Sequence, residues 1–145
     1  MAAAIGDLAR STGIEIRTLP MAGATSIVTG KAVMANSAGE ALNATTAGTV
    51  EKGLYVAVET VDNSAGAAGD KTIRVASGNT YVYCEAGGAI NFGHTVKADA
   101  DSNLVSATGV FAAEVLVGRY IGHENEDINP TDAADGDVII VRLGL

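Results

Sequence analysis

Tryptophan is absent from the 145 residues, aromatics amount to 4%, and cysteine occurs once, at Cys84. A single cysteine excludes an intrachain disulfide and any cysteine-based zinc cluster. Basic residues are also few. Nine Lys and Arg against 17 Asp and Glu give a formal charge of −8, and Lys31, Lys52, Arg74 and Arg142 stand as scattered single positions. A polyanion finds no basic stripe to neutralise and an anionic bilayer no polybasic segment, so neither nucleic acid nor membrane is an expected partner. No apolar stretch approaches the length of a membrane span. The opening Met1-Ala-Ala-Ala-Ile5-Gly-Asp7 has no basic start and no sustained apolar run. It does not read as a secretory signal, and the expectation is a protein made in soluble form in a host cytoplasm.

What is present is small, branched and punctuated by glycine. Hydrophobic residues make up 48% of the chain, mostly Ala, Val, Ile and Leu, and there are 18 glycines. Such a composition suits short strands and tight turns better than long helices. The length allows one domain with one sizeable core. Leu54, Val56 and Val58 alternate with Tyr55, Ala57 and Glu59; Ile73 and Val75 alternate with Thr72 and Arg74; Val82 and Cys84 alternate with Tyr81 and Tyr83. Period-two alternation is the mark of a strand. Asp137 to Leu145 is a near-continuous apolar run, as expected of a strand buried on both faces. Turn-forming clusters at Asn36-Ser-Ala-Gly39, Asp62-Asn-Ser-Ala-Gly66, Ala86-Gly-Gly88 and Asp101-Ser-Asn103 separate these runs. The fold class expected is all-β: a small barrel or sandwich of short antiparallel strands.

Residues 1–22 differ from the remainder. Ile5 and Leu8 share one face of a single possible helical turn, which Gly6 weakens and Ser11-Thr-Gly13 ends. Ile14-Glu-Ile16-Arg17-Thr18 then alternates as a strand does, and Pro20 closes it. The expectation is an extended N-terminal arm, 1–22, ahead of a β domain, 23–145, with an edge strand of the same domain or a frayed terminus as the alternative. There is also an internal echo. Gly30-Lys-Ala-Val33-Met-Ala35-Asn36 matches Gly93-His-Thr-Val96-Lys-Ala98-Asp99, 63 positions on, and Gly53-Leu-Tyr55-Val56 matches Gly118-Arg-Tyr120-Ile121, 65 positions on. It predicts two similar β units packed together.

Reactive constellations are scarce. A nucleophile needs a neighbouring base, and His94 and His123 have no partner at a recognisable spacing. No Gly-x-Ser-x-Gly elbow is present, and Gly66-Ala-Ala-Gly69-Asp-Lys71 lacks the spacing of a phosphate loop. Asp99-Ala-Asp101-Ser-Asn103 imitates the opening of a calcium loop, but Leu104 stands where glycine is required and Val110 where the closing acid is required. It reads as a hairpin turn. Six carboxylates crowd positions 124–137 and read as a solvated loop, with weak hard-cation binding as the alternative. Asn43-Ala-Thr45 is a formal glycosylation acceptor of low specificity. Tyr81 and Tyr83 place two aromatics on one face of a strand in a chain that has few, which suits a protein contact or a packed barrel end. No enzyme activity and no cofactor or metal is expected from these residues.

The order of segments resembles that of small phage capsid decoration (cement) proteins. The resemblance rests on Ala22-Gly23 to Val33, on Gly53-Leu-Tyr-Val-Ala-Val58, on Gly69 to Gly78 and on Gly93-His-Thr-Val96. It continues through Gly118-Arg-Tyr-Ile-Gly122 and the final strand from Val138 to Leu145, so that it covers about Ala22 to the C-terminus. It implies a structural virion protein of a tailed virus that trimerises and binds the major capsid protein on the outer capsid surface at three-fold and quasi-three-fold positions, stabilising the shell. The candidate contact residues, toward the shell or between subunits, are Ile5, Leu8, Ile14, Ile16, Arg17, Tyr81 and Tyr83. The competing readings are a tail-tube or fibre component, and a small barrel-sandwich carrier or binding module.

Overall fold

A computed structural model describes residues 5–6, 15–44, 54–78, 80–107, 116–123 and 132–143. They form strands β1 (Glu15–Pro20), β2 (Thr25–Ile27), β3 (Ala32–Ala35), β4 (Ala41–Asn43), β5 (Leu54–Ala57) and β6 (Val61–Asn63). The second half adds β7 (Thr72–Ser77), β8 (Tyr81–Glu85), β9 (Thr95–Ala98), β10 (Leu104–Ser106), β11 (Leu116–His123) and β12 (Val138–Leu143). No helix occurs among the described residues. One five-stranded sheet runs β1-β7-β5-β3-β4, a second runs β10-β9-β11-β12-β8, and β2 pairs with β6 in a two-stranded ribbon. Every ladder is antiparallel.

The alternation legible in the sequence sets which face each strand buries. In β7, Ile73 and Val75 are fully buried while Thr72 and Arg74 are exposed. In β5, Val56 faces one core and Tyr55 and Ala57 the other. The smaller core gathers Met21, Ile27, Val33, Ala41, Ala57, Ile73 and Val75, so the β2–β6 ribbon covers one face of the first sheet. The larger core joins the opposite face of the first sheet, through Ala32, Val56 and Ala76, to the inner face of the second, through Val82, Cys84, Val96, Tyr120, Ile139 and Val141. The layers are therefore ribbon, first sheet, second sheet.

Each five-stranded sheet curls until its two edges meet at one isolated bridge, Met21 with Ala41 and Ala86 with Leu104. A single bridge does not make a ladder, so the architecture is a sandwich and not a closed barrel. The outer face of β12 corrects the sequence expectation for the last segment. Ile139, Val141 and Leu143 are buried, but Val138, Ile140 and Arg142 are only half-buried. The apolar run reflects one core face and one outward face that is itself partly apolar.

The two sheets are the same unit twice. Read as β8-β12-β11-β9-β10, the second sheet has the strand order of the first, β1-β7-β5-β3-β4. The turn bonds repeat as well. Gly30 N–H donates to Ala57 O at 2.7 Å, and Gly93 N–H to Tyr120 O at 3.2 Å. Both glycines have φ of +81°, a region open to glycine at little cost. Asn36 Oδ1 accepts from the backbone of Ala38 and Glu40, and Asp99 Oδ1 from that of Asp101 and Asn103. The Asp99 segment is thus an Asx turn between β9 and β10.

One part of the internal echo falls differently. Val33 pairs with Tyr55, and its equivalent Val96 with Gly118, so Tyr55 corresponds to Gly118 and Ala57 to Tyr120. The Gly-x-Tyr match is displaced by two residues. The strand pairings keep the 63-residue offset of Gly30 and Gly93 here, so the 65-residue match does not mark equivalent positions.

Candidate functional site

The segment expected as an arm contributes β1 to the first sheet. All six residues of β1 pair with β7, and Met21 continues into the smaller core. β1 is an edge strand, and four of its residues from Glu15 to Thr18 are exposed, with Ile16 at 38%. Its free edge can be assigned. Arg74, in the neighbouring β7, turns its carbonyl to Val58 N–H and its N–H to Glu59 Oε1, both on the β5 side, while Met21 N–H donates to Lys71 O. Alternation then turns the main-chain groups of Ile16, Thr18 and Pro20 outward. Pro20, which has no N–H, occupies the free side, where proline is tolerated in a sheet.

Arg17 donates to Glu15 Oε1 from both Nε, at 3.1 Å, and Nη2, at 2.8 Å. This hydrogen-bonded guanidinium holds the Glu15 carboxyl below its ordinary range and raises the Arg17 pKa in turn. Both side chains are about half exposed, so the pair fixes the shape and charge of the edge more than it stabilises the fold.

Tyr81 and Tyr83 lie on β8, the edge strand of the second sheet, half-buried on its outward face, while Val82 and Cys84 point into the core. The sequence placed these residues on the correct faces. Two contacts join β8 to the N-terminal segment. Gly6 N–H donates to Tyr83 O at 2.6 Å, and Glu15 N–H donates to Thr80 Oγ1 at 2.8 Å. Ile5 is half-buried against Gly30, whose missing side chain makes room for it: a Cβ there would meet Ile5 Cγ2 at 2.1 Å. The two hydrogen bonds tie Gly6 and Glu15 to the β8 region, while Ile16 and Arg17 stand on β1 and Tyr81 and Tyr83 on the outward face of the second sheet. Leu8 and Ile14 lie outside the described residues.

No group of three or more His, Cys, Asp or Glu side chains able to hold a metal ion occurs among the described residues. His94 Nδ1 lies 3.2 Å from Ser106 Oγ on the exposed surface. Burial pushes the Cys84 thiol up, away from thiolate chemistry. Asp132 Oδ1 accepts Phe92 N–H and Asp137 Oδ2 accepts Ala134 N–H, so these two carboxylates close turns. His123 and the acidic positions 124–131 are not described in their side chains.

Sequence reasoning did not find the row Thr95, Arg119, Arg142 and Tyr81, which stand side by side across four strands of the second sheet. Only strand register brings two arginines separated by 23 positions together, and spacing along the chain carries no sign of it.

The fold defines the class: an all-β sandwich of two repeated five-stranded units, capped by a ribbon. Among solved structures it is similar to the N base of head fiber gp8.5 in bacteriophage phi29. The match has a TM-score of 0.59 at 13% identity and covers 90% of this chain and 95% of that chain. No protein-family model and no curated protein matches the sequence. At this identity the likeness is one of fold.

Proposed function

We propose that this chain is a structural protein of a phage virion that binds the outer surface of the capsid, as trimers at three-fold and quasi-three-fold positions, and stabilises the shell. The observation that carries the reading is the fold. The sandwich is similar to the N base of a phage head fiber over nearly the whole of both chains, which supports a structural role on a phage virion. The surface supports a role played through contacts. The exposed β1 edge, with Ile16 and the Arg17–Glu15 pair, offers main-chain groups and a short side-chain pattern that a neighbouring protein can extend by strand addition. Many such contacts on one shell add through multivalency. The major capsid protein is the partner proposed for this edge.

A second reading has a specific observation in its favour. The similar structure is the base of a fiber, so the chain also fits a shell-proximal base from which a longer appendage rises. Both readings place it at the phage head.

The test is to add the purified chain to capsids of its own virus that lack it and to follow their disassembly on heating. The proposal requires that the chain sediments with the capsids and raises the temperature at which they come apart. A variant lacking residues 1–14 is expected to bind more weakly. Equal disassembly with and without the chain contradicts the stabilising role, and failure to sediment with capsids contradicts both readings.

A further inference from the structure

The Arg119–Arg142 pair is an unusual thing for a sheet to carry. Like charges directly opposite on adjacent strands repel, and among the described residues no carboxylate pairs with either guanidinium. Arg142 Nε is buried away from water and has no acceptor. A buried N–H without an acceptor is rare in a folded chain and calls for an explanation. The geometry is fixed by the backbone: a Cβ at position 118 would stand 2.2 Å from the Arg142 carbonyl oxygen, so glycine there lets β11 and β12 approach closely beside the pair.

The internal repeat supplies a second observation. In the first half the equivalent row is Ala32, Val56, Ala76 and Ile16, by the same strand pairings. Ala32, Val56 and Ala76 are fully buried, because the second half packs over them. In the second half the same face turns outward, with arginine where the first half has Val56 and Ala76. Around the arginines stand Tyr81, Tyr83 and Ile140, all half-buried, with Tyr83 opposite Ile140. Tyrosine and arginine beside aliphatic side chains are the residues protein interfaces favour.

We propose that Arg119 and Arg142 form a carboxylate-binding site, filled by an acidic side chain of a second copy of this chain when copies associate. Two arginines opposite one another on adjacent strands supply donors suited to a carboxylate. Charge selects the occupant. Copies of a chain with a net charge of −8 repel one another, and the strand residues of this face are the exception, with Lys97, Arg119 and Arg142 against Glu85. A carboxylate-rich surface of one copy therefore complements this face of the next. The inference rests on the self-association in the proposed function and names the face responsible for it.

The experiment is sedimentation velocity on the full chain across a salt series, with Arg119→Gln and Arg142→Gln singly and together, and Arg74→Gln as a control on another surface. The wild type and the control are expected to associate at low salt and to dissociate as salt screens the contact. The double variant is expected to lose at least tenfold in association constant at low salt and most of the salt dependence, with an unchanged melting temperature. A double variant that associates like the wild type overturns the site while leaving self-association intact. A wild type that stays monomeric at every concentration overturns the self-association itself. A double variant that remains a normal oligomer but no longer sediments with capsids assigns the arginines to the shell and overturns the second copy as occupant.

Discussion

The equivalence of Val56 and Arg119 can be tested by moving one residue onto the other's place. Val56→Arg inserts a guanidinium between the two sheets, where Val56 is fully buried within the larger core. Losing the buried valine costs about 2 kcal/mol. An uncompensated buried charge adds roughly 3–5 kcal/mol. Together these reach at least the lower part of the roughly 5–15 kcal/mol by which domains of this kind are stable, so the variant is expected to lack a cooperative transition. Val56→Ala is the graded form. It removes about 2 kcal/mol, which for 145 residues lowers the melting temperature by roughly 5–8 °C. The reverse exchange, Arg119→Val, changes stability by less than about 0.5 kcal/mol, because Arg119 is exposed on the outward face. Thermal and urea unfolding followed by circular dichroism measure all three. A cooperative, wild-type-like Val56→Arg, or an Arg119→Val as costly as Val56→Ala, refutes the layer order and with it the assignment of equivalent faces.

Three further outcomes follow from single residues. Gly118→Ala is expected to lower the urea midpoint by the equivalent of about 1–3 kcal/mol, because the new methyl meets the Arg142 carbonyl and two backbones must part. Cys84, fully buried, is expected to react with a thiol reagent at least about a thousandfold more slowly in the native state than in urea; comparable rates by mass spectrometry would remove it from the core. Arg17→Gln is expected to return the Glu15 titration, followed by NMR, upward toward 4.5. Since the folded value is the lowered one, the pair's small contribution is present above that range and is lost as pH falls through it, and an unmoved titration shows that Arg17 is not the cause.

Sequence reading went furthest where local chemistry decides structure. The Gly30 and Gly93 turns, the Asn36 and Asp99 side chains that close the following hairpins, and the alternation in β5, β7 and β8 depend on neighbours a few residues away. The two glycine turns and the two Asx side chains are the part of the repeat that the echo captured. What it missed depends on register. The 65-residue match of Tyr55 to Tyr120 does not follow the strand pairings, which set Tyr55 against Gly118, and only the ladders reveal that. The β2–β6 ribbon is made of two three-residue strands, too short for a periodic signal, yet it covers the smaller core. Ile16 and Arg17 were recognised as strand residues, but only the ladder with β7 distinguishes an edge strand of the domain from a reaching arm. Nothing in their spacing reveals Arg119 beside Arg142.

The measurement closest to the central claim is immunogold electron microscopy of purified virions with antibody raised against this chain. Label distributed over the outside of intact heads is the predicted result. Particles that carry no label, or carry it on the tail alone, contradict the account.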